Sequence, residues 1–281
     1  MSTSNPFGIG PGSQPEEDDA VLDYMALPQG MTTWQPPILP EPGDMKGMEQ
    51  GLAALDQVLE ALRHFKVDQP AYQVDVSHLD ERSRSFVDDV LGEGEVSIIA
   101  GSALQAQESV LAGVWRVRTA AEPGKPASDA IEVGHVPSRV HDIAFAAARR
   151  GVKPPGSDLP EGLLASPSLL AELQNVVTSA PGDDAEYAIN LSLLPHSEED
   201  LAFLDQHLGQ GEVHILSRGY GNCRISATAT RNIWWVRYYN SQDTLILNSL
   251  EVARIPEVAF AAIEDIHDSE RRLAEILGVY R

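Results

Sequence analysis

The residues best suited to chemistry lie in the stretch Ser217-Arg-Gly-Tyr-Gly-Asn-Cys-Arg224. Cys223 is the only cysteine in the chain, and Arg218 and Arg224 stand near it in sequence. Nearby cations lower a thiol's pKa and favour the nucleophilic thiolate, although thiol catalysis also needs a general base and none is evident beside it. The same stretch reads as a hairpin connection, because Gly219, Gly221 and Asn222 tolerate positive φ, with Cys223 a small buried hydrophobe. Farther on, Trp234, Trp235, Tyr238 and Tyr239 crowd the end of one strand. Alternation puts Trp234 and Trp235 on opposite faces, which leaves one in the core and the other open to a partner, unless both faces are covered. Aromatic and arginine side chains anchor interfaces. Arg218, Tyr220, Asn222, Cys223, Arg224, Trp234 and Trp235 are therefore the candidate partner-binding residues, and no residue is assigned a catalytic role.

Other chemistries find little support. The histidines His64, His78, His135, His141, His196, His207, His214 and His267 show neither HxxxH nor HExxH spacing, so no metal site is expected. No GxSxG elbow, P-loop or strand-linked GxGxxG occurs, and Gly8 to Gly12 precede no helical pattern. No cofactor is expected. Lys and Arg total 20 against 42 Asp and Glu, a formal charge of −22, which opposes binding to nucleic acid or to an anionic membrane. A single thiol excludes a disulfide framework within the chain and points to a reducing compartment. Glu16, Glu17, Asp18 and Asp19 interrupt the first thirty residues, which hold no apolar span, so a cytoplasmic protein without membrane insertion is expected.

The elements that must position these residues come twice. Residues 1–47 hold eight of the nineteen prolines and read as a Pro/Gly-rich N-terminal arm, either a solvated tail or an extended segment lying on a body or partner. Thereafter Leu91-Gly-Glu-Gly-Glu-Val96 returns as Leu208-Gly-Gln-Gly-Glu-Val213, and Val114-Trp-Arg-Val-Arg118 as Ile233-Trp-Trp-Val-Arg237. Ile131-Glu-Val133 with Pro137 returns as Leu250-Glu-Val252 with Pro256, and Val74-Asp-Val-Ser77 as Ile189-Asn-Leu-Ser192. Four matches in one order, at offsets of 115 to 119, indicate a duplicated module. Each copy runs helix, strand, helix, strand, strand, strand, helix. Leu52, Leu55, Leu59 and Leu62 mark the first helix and Leu169, Leu170, Leu173 and Val176 its counterpart. Ser166 before Pro167, and Ser197 with Asp200, read as helix starts. The closing strands are expected at 95–100, 110–119 and 129–134, and again at 212–217, 223–239 and 244–252. The expected fold is α+β, with two tandem modules at 48–150 and 166–281, each a mostly antiparallel sheet with flanking helices, joined by a linker at 151–165.

The long run from Leu208 to Tyr239, LGQGEVHILSRGYGNCRISATATRNIWWVRYY, resembles the HupH (HyaF) family of hydrogenase expression/formation proteins. The resemblance extends to Gly10-Pro-Gly-Ser-Gln14, to Met31 through Pro42 and to the LGEGEV of the first copy, so it spans nearly the whole chain. It implies a non-enzymatic, chaperone-like accessory protein in the maturation of a nickel-iron uptake hydrogenase. The implied partner is the iron–sulfur small-subunit precursor before twin-arginine export, together with other hydrogenase accessory proteins. A scaffold joining other maturation factors, or a thiol enzyme acting through Cys223 on clusters, are the alternatives.

Overall fold

A computed structural model describes residues 39–67, 69–156, 159–179, 186–218 and 222–281. Most of the N-terminal arm and the Gly219-Tyr220-Gly221 tip lie outside the described residues. Helix α1 (Glu49–Arg63) buries Ala54, Leu55, Val58, Leu59 and Leu62 along one stripe. Strand β1 (Tyr72–Asp75) leads to α2 (Glu81–Leu91), whose N-cap Asp80 accepts from the N–H of Ser83 at 2.9 Å. Strands β2 (Val96–Ala100), β3 (Leu104–Glu108), β4 (Val114–Thr119) and β5 (Ser128–Val133) follow, then the short α3 (Val140–Phe145). The order then recurs: α4 (Ser166–Ser179), β6 (Tyr187–Asn190), α5 (Glu198–Leu208), β7 (Gln210–Ser217), β8 (Asn222–Thr228), β9 (Ile233–Tyr239), β10 (Leu245–Val252) and α6 (Ile263–Gly278).

The architecture is α+β and antiparallel, as expected, and the strands differ from expectation in number and arrangement. Each half has four closing strands, not three. Strand β3 is Leu-Gln-Ala-Gln-Glu, a composition with little intrinsic strand preference, which its neighbours on both sides override. The 223–239 run divides into β8 and β9 at a turn containing no glycine or proline, where Asn232 takes φ 61°. The two sheets are also one. Ten strands run in the order β1-β5-β4-β3-β2-β7-β8-β9-β10-β6, and the pair β2–β7, with Ile98 opposite Ile215, joins the halves. That pairing removes two unpaired edges that separate sheets would expose.

Alternation along the strands divides three cores between the two faces. On one face α3 covers the centre, where Ile98, Trp115, Ile215, Ile225 and Trp234 meet Phe145. On the other, α1 and α2 cover β1, β5 and β4 over Val74, Ile131 and Val114. There α4 and α5 cover β6, β10 and β9 over Ile189, Leu250 and Trp235. Helix α6 crosses to the first half, burying Ile266, Leu273 and Leu277 against α1. Gly113, at φ 75°, makes this approach possible: a Cβ there would lie 2.6 Å from Ile266 Cγ1.

Candidate functional site

Because the helix pairs cover only the outer strands of their face, no helix among the described residues lies over the strip formed by β3, β2, β7 and β8. The register places two rows of side chains across it, each continuing at its ends onto the helix-flanked strands β4 and β9. One row is Arg118, Gln105, Ile99, His214, Ser226 and Trp235; the other is Arg116, Gln107, Ser97, Leu216, Arg224 and Arg237. Four arginines and no carboxylate stand in these rows, in a chain whose net charge is −22. Ile99 is 53% exposed, an apolar side chain in the middle of a polar strip.

The arginines are held differently in the two halves. Arg116 sits against α2, with Nε and Nη2 donating to the Asp129 carboxylate at 2.5 and 2.8 Å. Its Nη1 is 3.1 Å from Asp88 Oδ1, but the alignment is poor, and this buried nitrogen has no hydrogen bond. Arg118 is 3.7 Å from Asp129. A cavity of 420 Å³ opens here, lined by Asp88, Ser97, Ile99, Gln105, Gln107 and the two arginines. In the second half Trp235 occupies the register position of Arg116, and Arg237 lies 4.3 Å over its ring. Arg224 lies 4.3 Å over Tyr239 and donates to Asp243 at 2.9 Å.

The structure spreads the sequence-derived candidates over both faces. Arg218 is exposed just beyond β7, where its N–H donates to Glu95 O at 3.1 Å and extends the central pairing. Asn222 opens β8 opposite Tyr239, Arg224 faces the open strip, and Tyr220 lies outside the described residues. Cys223 points the other way, into the core under α3, 4% exposed. Burial pushes its thiol up to about 11 against the opposing effect of a hydrogen bond from Tyr238, so the thiolate is disfavoured. Trp234 is fully buried and donates to Ala253 O at 3.1 Å. Trp235 does face the opposite side, but it is not free: α4 and α5 cover it to 4% exposure, and its Nε1 donates to Asn248 Oδ1 at 2.5 Å. The first-half strip residues Ser97, Ile99, Gln105, Gln107, Arg116 and Arg118 were not among the candidates. Their signal was the repeat itself, which aligns Arg116 with Trp235 and Arg118 with Arg237.

The model of the "HupH hydrogenase expression protein, C-terminal conserved region" matches residues 49–149 and 163–280. The chain belongs to the HupH family. A HupH of Rhodobacter capsulatus is 46% identical over 280 residues, covering 98% of this chain and 97% of that protein. HoxQ of Cupriavidus necator, also termed a hydrogenase expression/formation protein, is 44% identical over 96% of this chain and 94% of its own. The hydrogenase-1 operon protein HyaF of Escherichia coli is 32% identical over 95% and 94%. A solved HupH from Thiobacillus denitrificans is 26% identical and covers 39% of this chain and 92% of its own, with a TM-score of 0.36. Among the described residues of this HupH-family chain, no helix is long and apolar enough to cross a membrane.

Proposed function

We propose that the chain is a binding protein in the maturation of a nickel-iron uptake hydrogenase, holding the iron–sulfur small-subunit precursor in the cytosol before twin-arginine export. The observation that carries this reading is near full-length similarity to proteins named for hydrogenase expression and formation. The uncovered strip supports it, because a floor of arginines, glutamines and Ile99 between two helix pairs offers donors and apolar surface to a polypeptide. Burial of Cys223 and the upward shift of its thiol speak against the thiol-enzyme alternative. The acidic exterior favours encounter with a basic export signal, an attraction that weakens as salt rises.

The test is photocrosslinking in cells that express the hydrogenase operon. A photoreactive residue at position 105 or 224, on the strip, is expected to capture the small-subunit precursor. One at position 142, exposed on α3 of the opposite face, is expected not to. Equal capture from 142, or none from 105 and 224, would sink the assignment of the strip.

A further inference from the structure

The outer strand pairs of the sheet share one backbone arrangement but carry different side chains, and the difference leaves one carboxylate short of donors. In the first half Gln73 of β1 lies opposite Glu132 of β5. Its Nε2 donates to Glu132 Oε1 at 2.6 Å, and the N–H of Ser138 donates to Oε2 at 2.8 Å. The chain itself thus closes over this carboxylate, which is 1% exposed. In the second half Ala188 of β6 lies opposite Glu251 of β10. The residue after Pro256 is Glu257, where the residue after Pro137 is Ser138. Ala188 offers no side-chain donor, and among the described residues the Glu257 N–H does not bond Glu251 as the Ser138 N–H bonds Glu132.

What stands in their place is a cavity of 410 Å³, lined by Glu186, Tyr187, Ala188, Glu251, Glu257 and Phe260. Among the described residues, Glu251 receives a side-chain hydrogen bond only from Ser249 Oγ, at 3.1 Å. Burial raises its pKa, which the Ser249 bond only partly offsets. A partly desolvated carboxylate is costly unless further donors join it, and the exposed Glu186 and Glu257 at the rim of the cavity favour a donor that is a cation. Among the described residues strand β6 is the last of the sheet and pairs on one side only, which leaves its other side to an added strand.

We propose that this cavity receives the guanidinium of an arginine side chain, carried by a partner polypeptide extended along β6. The guanidinium fork supplies the N–H donors that Gln73 and Ser138 supply to Glu132, and the ring of Phe260 suits its flat face. The proposal does not depend on which protein carries the arginine.

The probe is N-acetyl-L-arginine methylamide, followed by amide NMR shifts, with the corresponding glutamine compound as control. Saturable shifts at Ala188 and Glu251 are expected with the arginine probe. Affinity should fall at least tenfold in Glu251→Gln. It should fall as far in Ala188→Gln, which gives the second half the side-chain amide that fills the first. No saturable shift in the unaltered protein, equal binding of the glutamine probe, or undiminished affinity in both variants would overturn the proposal.

Discussion

The two halves of the sheet share strand order and register yet differ in what covers them and in how their helices are started. Among the described residues three helices lie on this face of the first half, because α6 leaves its own half to pack on α1, and two lie on that of the second. The α2 start uses Asp80 as N-cap with Ser83 three residues on, and Ser83 Oγ reaches Gly47 O just before α1. The α5 start reverses the types, with Ser197 as N-cap and Asp200 three residues on in a reciprocal capping box. Asp200 is fully buried and also accepts from the N–H groups of Leu164, Ala165 and Ser166 and from Ser166 Oγ at 2.6 Å. A hydroxyl thus ties α2 to α1 through one carbonyl, whereas a carboxylate ties α5 to α4 through a whole helix entry. Both helix pairs enclose apolar cores, to which the first adds an apolar joint through α6 and the second a hydrogen-bonded carboxylate joint through Asp200.

The largest expected effect comes from removing the apolar joint. Leu273→Asp would bury a charge between α6 and α1 and cost about 4 kcal/mol or more. Hydrogen exchange should then show α1 amides losing protection well before those of α4. Equal loss in both halves would mean that the sheet melts as one unit and that the comparison has no energetic content.

Breaking the carboxylate joint should act on the other half. Asp200→Asn keeps the shape but loses the charge that four backbone N–H groups and two hydroxyls address, at a cost of about 3 kcal/mol. Burial alone would raise the Asp200 pKa, but the Ser166 hydroxyl and the N–H groups of Ser197, Ser166 and Leu164 outweigh it and hold the carboxyl well below its ordinary value. A depressed carboxyl stabilises the fold above its unfolded pKa, and that contribution is lost as pH falls through the folded value. Urea titrations between pH 3 and pH 6 should therefore show a steeper acid loss in the unaltered protein than in Asp200→Asn. Identical slopes would mean that Asp200 is not the group titrating.

How much of this was legible in the sequence follows from the range of the interactions. The Ser197–Asp200 box is local and could be read directly, as could the opposite orientations of Trp234 and Trp235. That α5's Asp200 also caps α4 could not, because Leu164 to Ser166 lie more than thirty positions away and nothing local marks them as its donors. Burial of Trp235 depends in the same way on where α4 and α5 pack, and the open strip exists only because β2 and β7 pair across the halves. Strand β3 went unread because Gln105, Ala106 and Gln107 are strand residues by virtue of their neighbours alone.

The smallest expected effect sharpens the comparison at one register position. Glu108 of β3 lies opposite Trp115, whereas Ala227 of β8 lies opposite Trp234, so the first half carries a carboxyl where the second carries a methyl. Glu108 is 8% exposed, and its Oε1 accepts from the N–H of Gly113, the glycine against which Ile266 of α6 packs. Burial pushes its pKa up to about 7; the Gly113 bond opposes the shift, and Glu95 and Asp265 add to it. A carboxyl raised in this way favours the fold fully below its ordinary value of 4.5, and the contribution is lost as pH rises through 7. Glu108→Gln, neutral at every pH and close in shape, should remove that loss and gain on the order of 2 kcal/mol over the unaltered protein at pH 8, with little difference at pH 5. Exchange at the Gly113 amide should follow the same pH dependence, whereas amides around Ala227 should not. If Gly113 and Ala227 respond alike, Glu108 does not weaken the seat of α6, and the asymmetry between the halves rests on packing and the Asp200 joint alone.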